Sequence, residues 1–391
     1  MVICASLNFC IELPADKIHI EQFLDLAGQH PVIDVRSPAE YKQAHMPGAY
    51  NVPLFTDEER KVVGIAYKQQ SREAAIKIGL DFFGPKMRTI VEEVESIVRN
   101  WSLPVEGKLH KLEKSQVPPT HCILVHCWRG GMRSAGIAWL LDLYGFKVYT
   151  LIGGYKIYRH YVLQNFEQSY DFKILGGYTG SGKTEVLKEL EKRGEKVIDL
   201  EAIASHKGST FGAIGQPTQP TQEMFENLLS EELRKKTKSS GESELQCIWL
   251  EDESQRIGLI NIHQLLWEKM RESPVYFIDI PFEERLDYIV DCYGALDKEK
   301  MVHAIIRIQK RLGGLETKTA INFLLENNIK ECFRLLLTYY DKYYLKGLNN
   351  RENSETLIQR ISCKTVNASA NAQDILIHQA PLIATNFSNN E

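Results

Sequence analysis

The sequence has little cysteine for its length, and no two cysteines have the CxxC spacing of a zinc site. Eight cysteines in 391 residues are too few for a disulfide scaffold. No apolar run reaches membrane-spanning length, and the apolar start over residues 1–11 lacks the basic segment and cleavage site of a signal peptide. Basic residues are not in excess either, and the net charge of −4 argues against indiscriminate nucleic-acid binding. We therefore predict a cytoplasmic protein with no membrane partner, in which any RNA would need a local basic surface.

The composition that remains is ordinary for a folded protein, with 43% hydrophobic and 25% charged residues. Short apolar runs rich in β-branched residues alternate with helix-like segments, which predicts α/β domains built on parallel sheets. We divide the chain into an N-terminal extension (residues 1–15), a first domain (16–165), a second domain (166–348) and a C-terminal tail (349–391). The tail is predicted to be flexible because apolar periodicity is lost there.

The first functional candidate is Cys127, which follows the predicted buried strand 122–126 in the string CWRGGMRS. A glycine-bearing loop that opens a helix lets backbone N–H groups surround the sulfur, and the helix N-terminus adds positive potential. Arg129 and Arg133 lie within the same loop and favour the thiolate, which is the nucleophilic form. We therefore assign Cys127, Arg129 and Arg133 as catalytic candidates.

The rest of the first domain has a recognisable pattern. Ser37 before Pro38 fits a helix N-cap, and residues 55–120 are predicted to be a long, mostly helical insertion. The strings VIDVRSPAEY, HMPGAYNVP and GGY, together with the Cys127 loop, resemble a rhodanese-like sulfurtransferase domain over residues 16–165. The resemblance implies that Cys127 carries a chalcogen adduct and that Asp34 and Arg36 form a structural ion pair.

One spacing departs from the rhodanese pattern. Five residues separate Cys127 from Arg133, one more than in the usual rhodanese loop. The same spacing occurs in cysteine-dependent phosphatases, where the arginine binds phosphate bidentately. At this point the loop permits either a phosphatase or an enzyme that transfers a chalcogen with a larger group attached.

The second domain opens with a P-loop in its required context, a predicted strand at 171–176 followed by GYTGSGKT and a helix. Backbone N–H groups of such a loop bind phosphate oxygens, Lys183 reaches the terminal phosphates, and Thr184 can ligate Mg²⁺. The predicted phosphate-binding residues are Gly177, Thr179, Gly180, Ser181, Gly182, Lys183 and Thr184.

A second Mg²⁺ candidate is Asp252, which follows the predicted strand 247–250 and would act through water. A solvated acidic turn is the alternative. No tightly bound cofactor is predicted.

Substrate-binding candidates lie further along the chain. His206, Lys207 and Ser209 belong to a polar, glycine-rich stretch that we predict to be a substrate loop, with a plain surface connection as the alternative. Arg307 and Arg311 lie near one face of a predicted helix and are candidates for contacts to phosphate or RNA, unless that face is simply solvated.

Taken in order, CWRGGMRS, GGYTGSGKT, HKGSTFG and EDESQRIG resemble the bacterial tRNA 2-selenouridine synthases over residues 15–345. The sequence differs from the family pattern at Lys342, where the resemblance leads us to expect proline. The resemblance implies a transferase that replaces sulfur by selenium in wobble 2-thiouridine of tRNA, with selenophosphate as donor. The reaction would run through S-geranyl-2-thiouridine made from geranyl diphosphate.

In that scheme Cys127 would take selenium from selenophosphate, while the P-loop would hold the diphosphate. The expected partners are tRNA carrying 2-thiouridine and the enzyme that produces selenophosphate. The residues also leave open a cysteine-dependent phosphatase, a P-loop kinase with a nucleotide in the loop, or a non-catalytic RNA-binding module.

Overall fold

A computed structural model describes residues 16–101, 122–238, 247–294 and 296–379. The chain divides into two compact units, Met1–Gln164 and Asn165–Glu391. Predictions on the N-terminal extension, on the last part of the helical insertion and on the end of the tail lie outside the described residues. In the parts of the chain that are described, no helix combines the length and apolarity needed to cross a membrane.

The first unit alternates strands and helices. Its strands are β1 (Asp16–Ile18), β2 (Val32–Asp34), β3 (Tyr50–Asn51), β4 (Cys122–His126) and β5 (Lys147–Leu151). Its helices are α1 (Ile20–Ala27), α2 (Pro38–Gln43), α3 (Asp57–Gln69), α4 (Arg72–Phe83), α5 (Met87–Asn100), α6 (Met132–Tyr144) and α7 (Gly154–Asn165), with a 3₁₀ turn at Gly84–Lys86.

All strand pairs of the first sheet are parallel, in the order β1-β5-β4-β2-β3. Ile123, Leu124 and Val125 of the central β4 are fully buried, as expected for a strand covered on both faces. The predicted insertion helices are present as α3, α4 and α5, and α2 begins at Pro38 after the N-cap Ser37. The central strand therefore delivers Cys127 to the carboxyl edge of the sheet.

The second unit has a longer list of elements. Its strands are β6 (Phe172–Gly177), β7 (Lys196–Val197), β8 (Ile248–Glu251), β9 (Arg256–Ile257), β10 (Ile260–Asn261), β11 (Val275–Asp279) and β12 (Ile358–Ser362). Its helices are α8 (Lys183–Lys192), α9 (Leu200–Ala204), α10 (Gln222–Lys238), α11 (Gln264–Glu272), α12 (Phe282–Tyr293), α13 (Lys298–Arg307), α14 (Gln309–Leu312), α15 (Gly314–Leu325), α16 (Ile329–Asn349), α17 (Ser354–Leu357) and α18 (Ala368–Gln379).

The main sheet of this unit is also parallel, in the order β12-β11-β6-β8-β7, while β9 and β10 form a separate antiparallel pair. The chain runs from β6 to one side of the sheet and later returns to the other side. Ligands of parallel α/β sheets bind where the strand order reverses in this way. The prediction of two α/β domains, the second with a P-loop, is confirmed, and the P-loop follows the strand at the reversal.

The prediction of a flexible tail is wrong for the ordered part of residues 349–379. There β12 pairs in parallel with β11, and α18 packs against α8. Val366, between these two elements, packs so close to the P-loop that a Cβ placed on Gly182 would lie 2.8 Å from its Cγ1. Ile361 is the one residue of β12 that is buried in the core. With a single buried position, the strand has no alternating apolar pattern from which it could be predicted.

Because β12 is part of the main sheet, a substitution in its buried residue should lower the stability of the protein. Ile361→Ala is expected to lower the free energy of unfolding by about 2–5 kcal/mol, because it leaves a cavity among buried residues such as Ile278 and Ile375. Gln359→Ala, at an exposed position of the same strand, should change it by less than about 0.5 kcal/mol. Denaturant unfolding of both variants decides the point, since equal midpoints would mean that β12 is not part of the core.

Candidate active sites

The sulfur of Cys127 lies at the carboxyl end of β4, where the loop to α6 begins. The backbone N–H of Gly131 donates to Sγ at 3.3 Å, and the Ser134 hydroxyl lies 3.3 Å from the same atom. Cys127 is only 3% exposed, so these contacts take the place of water around the sulfur. Ser134 is a further site residue, and nothing in the motif itself indicates that its hydroxyl contacts the sulfur.

These contacts set the protonation state of Cys127. Burial alone would raise the pKa of the thiol, but hydrogen bonds from the Ser134 hydroxyl and from the N–H groups of Ser134 and Arg129, with the charge of Arg133, outweigh it. The net effect is a pKa below the ordinary value of cysteine. Cys122, on the same strand, has none of these donors, and burial raises its pKa to about 11. The loop therefore favours the thiolate at Cys127 specifically.

The two loop arginines have different surroundings. The guanidinium of Arg133 donates to Glu40 Oε2 at 2.7 Å, and Arg60 approaches the other oxygen of that carboxylate at 3.1 Å. Burial would raise the pKa of Glu40, but the two arginines lower it to about 2. Arg129 has an exposed side chain and acts on the sulfur through its backbone N–H. Arg133 is thus held in place by Glu40, a residue that the sequence analysis missed.

The predicted ion pair of Asp34 and Arg36 is confirmed as structural. Both side chains are buried, and Arg36 donates to Asp34 at 2.6–3.0 Å and to the carbonyl of Ala44 at 2.7 Å. The Arg36 guanidinium also lies 3.7 Å from the ring centre of Tyr155, the residue after the GG pair. The pair thereby ties the end of β2 to the start of α7.

Glycine is required where α7 meets the Cys127 loop. Gly154 has φ +60°, and a Cβ placed there would lie 2.3 Å from the carbonyl oxygen of Cys127. Gly130 has φ +63°, and a Cβ placed there would lie 2.5 Å from the carbonyl oxygen of Leu151. This contact allows the N–H of Tyr155 to donate to the Cys127 carbonyl at 2.8 Å. The two backbones support each other only because neither carries a side chain there.

The hydrogen bonds to Sγ generate a pH prediction. Iodoacetamide should alkylate Cys127 with a midpoint below the value of a free thiol, about pH 8.5, and Ser134→Ala should move that midpoint upward because a donor to the thiolate is lost. Mass spectrometry of alkylation against pH measures both. Cys122 serves as the internal control, and it should stay unmodified at neutral pH. An unperturbed midpoint for Cys127 would contradict the thiolate assignment.

In the second unit, the P-loop joins β6 to α8, which begins at Lys183. Gly180 and Gly182 have positive φ angles of +82° and +71°, which bend the loop around the helix N-terminus. Lys183 Nζ donates to the carbonyl of Gly177 at 3.0 Å. The predicted phosphate-binding residues from Thr179 to Thr184 all line one cavity of about 550 Å³, whereas Gly177, the last residue of β6, is not part of its lining.

A buried arginine braces this loop from behind. Arg285 of α12 donates to the carbonyl of Thr179 at 3.0 Å and forms a two-pronged pair with Asp341 at 3.0 and 2.7 Å. Its guanidinium lies 4.7 Å from the ring centre of Tyr178. Asp341 precedes Lys342, the position where the family resemblance leads us to expect proline. The contact of Asp341 with Arg285 is formed nevertheless.

Acidic side chains crowd the Thr184 end of the cavity. The Thr184 hydroxyl donates to Glu201 Oε2 at 3.1 Å and lies 3.4 Å from Glu251 Oε1. Burial and the charges of Asp199, Glu201 and Glu253 raise the pKa of Glu251 well above its usual range. Burial and the charge of Glu201 likewise raise the pKa of Glu253 to about 8. These carboxylates repel one another, so a bound cation would stabilise the group.

Of the two predicted metal residues, Thr184 lies next to carboxylates, and Asp252 lines the same cavity with protein partners of its own. Asp252 accepts a hydrogen bond from the Tyr344 hydroxyl at 2.7 Å and is paired with Arg351, so both of its oxygens are used away from Thr184. Glu251 and Glu201 are the carboxylates beside Thr184 instead. Among the residues that the structure describes, no group of three or more His, Cys, Asp or Glu side chains is arranged to hold a metal ion.

The substrate-loop candidates separate into two groups. Lys207, Ser209 and Arg311 line the P-loop cavity. His206 is 8% exposed and packs between two glycines, since a Cβ on Gly212 or Gly258 would come within 2.8 Å of its ring. Arg307 is exposed at the end of α13 and does not line the cavity. His206 therefore packs against the backbone of the loop and is not among the residues that line the cavity.

The cavity also has a wall that the sequence analysis did not identify. It is formed by aromatic and aliphatic side chains from helices distant in sequence: Tyr288, Ile289, Tyr293, Ile308, Tyr339, Tyr340, Tyr343 and Tyr344. No local motif marks these residues, because α12 and α16 meet only through tertiary packing. A ligand held by the P-loop would place its phosphate oxygens at the loop, and the rest of the ligand would lie against this wall.

Comparison with known proteins agrees with this arrangement of domains. A family model described as "Rhodanese-like domain" matches residues 19–160, and one described as "tRNA 2-selenouridine synthase AAA domain" matches residues 170–374. The fold and the two loops thus define a protein with a rhodanese-like domain followed by a P-loop domain.

Curated relatives identify the family. Proteins named tRNA 2-selenouridine synthase from Sulfurovum sp. and Bdellovibrio bacteriovorus are each 33% identical to this chain, over 347 and 379 residues. The alignments cover 80% and 86% of this chain, and 87% and 93% of those relatives. A relative of the same name from Marinobacter nauticus is 34% identical, with 82% and 89% covered. This chain belongs to the tRNA 2-selenouridine synthase family.

Proposed function

We propose that this chain is a tRNA-modifying transferase that replaces the sulfur of wobble 2-thiouridine by selenium. One observation carries the proposal: a chain of this family combines a cysteine loop that favours the thiolate with a P-loop cavity that has an apolar wall. The first loop suits a selenium donor that bears phosphate. The second suits a diphosphate with a hydrocarbon chain.

In the first step the P-loop cavity holds geranyl diphosphate. The sulfur of 2-thiouridine attacks C1 of the geranyl chain, the C1–O bond breaks, and diphosphate leaves with the electron pair. The base loses its N3 proton to solvent and becomes neutral S-geranyl-2-thiouridine. Lys183 and the loop N–H groups stabilise the departing charge. The tyrosine-rich wall would pack against the prenyl chain.

Mg²⁺ fits the same cavity. Mg²⁺ sites in proteins commonly use one or two carboxylates together with ligand phosphates and water. The Thr184 hydroxyl, Glu201 and Glu251 form such a set and would hold the ion, which would neutralise charge on the leaving diphosphate. The mutual repulsion of the carboxylates supports this assignment.

In the second step the Cys127 loop receives selenophosphate. Attack of the thiolate on phosphorus of monoprotonated selenophosphate forms an S–P bond and breaks the P–Se bond. The hydrogen of the donor leaves with selenium as hydroselenide, with no change of oxidation state. Water then hydrolyses the phosphorylated cysteine to the thiol and inorganic phosphate. Attack on selenium would instead place selenium on Cys127 but would require reduction of phosphorus. Mass spectrometry of enzyme treated with selenophosphate distinguishes the two adducts by the presence of phosphorus or selenium on Cys127.

Hydroselenide then completes the exchange. It attacks C2 of the S-geranyl base, the C2–S bond breaks, and geranylthiolate leaves and takes a proton from solvent. The hydrogen of hydroselenide ends on N3, which gives 2-selenouridine. Alkylation is what makes this step feasible, because the sulfur of an unmodified thiocarbonyl is a poor leaving group.

A phosphatase function has weaker support. Such an enzyme needs a carboxylic acid to protonate its leaving group. Glu40, the carboxylate that contacts Arg133, has a pKa of about 2 and is ionised at neutral pH. Hydroselenide is a weak base and leaves without a proton, so the proposed reaction does not need that acid.

Two variants should separate the two steps. Lys183→Ala should lower geranylation by roughly 10²–10³-fold, because a cation next to the leaving diphosphate is lost, and 2-thiouridine should remain. Cys127→Ala should abolish selenation and let S-geranyl-2-thiouridine accumulate. Nucleoside analysis by mass spectrometry after reaction with thiouridine RNA, geranyl diphosphate and selenophosphate measures both.

Matched controls are Lys192→Ala, exposed on the same helix as Lys183, and Cys122→Ala, on the same strand as Cys127. Both should retain both steps. Selenation by the Cys127 variant, or geranylation at full rate by the Lys183 variant, would overturn the assignment. Turnover of ATP without RNA, or hydrolysis of an aryl phosphate, would favour the kinase or the phosphatase.

A further inference from the structure

Three large apolar side chains are exposed around the Cys127 loop of the first unit, and the chemistry proposed above gives none of them a role. Trp128, directly after Cys127, is 37% exposed, and Met132, where α6 begins, is 51% exposed. Ile152 is also exposed and belongs to the turn whose backbone packs against Gly130 of the same loop. We call Trp128, Met132 and Ile152 the apolar rim.

The Trp128 side chain is held in position, although part of its surface remains exposed. Its ring centre lies 5.7 Å from that of Tyr155 and 5.9 Å from the guanidinium carbon of Arg36. Its carbonyl accepts a hydrogen bond from the N–H of Lys156 at 3.0 Å. The side chains of Tyr155 and Arg36 are buried, so Trp128 covers them while it presents the rest of its ring to solvent. A side chain that is already ordered loses little conformational freedom when a ligand packs on it.

The charged side chains near the loop leave the rim exposed. Arg133 donates to Glu40 at 2.7 Å, and Arg129 extends into solvent between Trp128 and Met132 in the chain. The guanidinium of Arg72 lies 4.0 Å from the sulfur of Met132. A ligand that covers the rim must therefore be apolar where it meets Trp128 and Met132.

The proposed reaction supplies such a ligand. Hydroselenide released at Cys127 attacks C2 of the S-geranyl base, so this base must lie at the mouth of the loop. Its geranyl group is joined to C2 through the sulfur alone and must therefore lie there too. Burial of a hydrocarbon chain against aromatic and thioether side chains is favourable. We propose that the apolar rim binds the geranyl group of the S-geranyl base during selenation, with Trp128 as the main contact.

This inference rests on the function proposed above and adds a source of specificity to it. Unmodified 2-thiouridine has no hydrocarbon to place against the rim. The loop would therefore favour the base whose sulfur can leave as a thiol. Trp128 then contacts the leaving group and selects the substrate, while Cys127 remains the nucleophile.

The test compares two RNA stem-loops that differ only in the alkyl group on sulfur, S-geranyl-2-thiouridine and S-methyl-2-thiouridine. Both lose an alkanethiolate from C2, so the ratio of their kcat/KM values for selenation measures recognition of the hydrocarbon. Wild type should prefer the S-geranyl RNA by more than about tenfold. Trp128→Ala should lower the ratio roughly tenfold, the effect of losing about 50 Å² of apolar contact. Trp128→Phe keeps an aromatic ring and should restore most of the preference.

Trp139→Ala is the matched control, because Trp139 is an exposed tryptophan of α6 outside the rim, and it should keep the wild-type ratio. Met132→Gln changes an exposed rim residue and should lower the ratio roughly threefold. The pH midpoint for alkylation of Cys127 by iodoacetamide should match wild type in each variant, which shows that the loop is intact. If Trp128→Ala shifts that midpoint, the ratio in Met132→Gln decides.

An unchanged ratio in both Trp128→Ala and Met132→Gln would overturn the inference. Equal losses on the two RNAs give that result, and they would mean that Trp128 stacks on the base or supports the loop. A wild-type ratio near one would also overturn it, because the hydrocarbon would then not be recognised. If wild type forms 2-selenouridine from neither RNA, the proposed function itself has failed, and that result is distinct.

Discussion

Backbone N–H groups at the carboxyl end of a central parallel strand are the interaction on which both sites depend. In the first unit they converge on the sulfur of Cys127, and in the second they form the P-loop after β6. Such donors are fixed by the main chain and need no side chain to move. They require close backbone packing, and Gly154 and Gly182 permit it because a Cβ at either position would clash with a neighbouring segment.

The charged groups around the two loops differ: a cation lies next to the Cys127 loop, and carboxylates crowd the P-loop cavity. This difference suits two different chemical roles. At Cys127 the neighbouring charge comes from Arg133, which Glu40 holds in place, so the loop favours an anionic nucleophile. In the P-loop cavity, Lys183 faces several carboxylates whose pKa values are raised by burial and mutual repulsion. A phosphate-bearing ligand with a cation would satisfy both signs of charge at once. In the proposed function, the first site supplies the nucleophile and the second stabilises the leaving group.

The sequence predicted those features whose causes are local. A β-rich run followed by a glycine loop and a helix is sufficient to locate Cys127 and the P-loop, because strand, loop and helix are contiguous. Glu40 and Arg285 could not be predicted, since each acts on a loop about a hundred residues away in the chain. The choice between Glu251 and Asp252 depends on where β8 ends, because successive side chains of a strand point to opposite faces. The strand β12 was missed because its pairing with β11 spans a similar distance and only Ile361 enters the core.

The central claim is that both units serve one reaction on tRNA. The most direct measurement is nucleoside analysis of tRNA from selenium-supplied cells that have or lack this protein. The account predicts that 2-selenouridine is present with the protein and absent without it, while 2-thiouridine remains. Reintroducing the Cys127→Ala chain should yield S-geranyl-2-thiouridine in place of 2-selenouridine. Unchanged 2-selenouridine in cells that lack the protein would contradict the account.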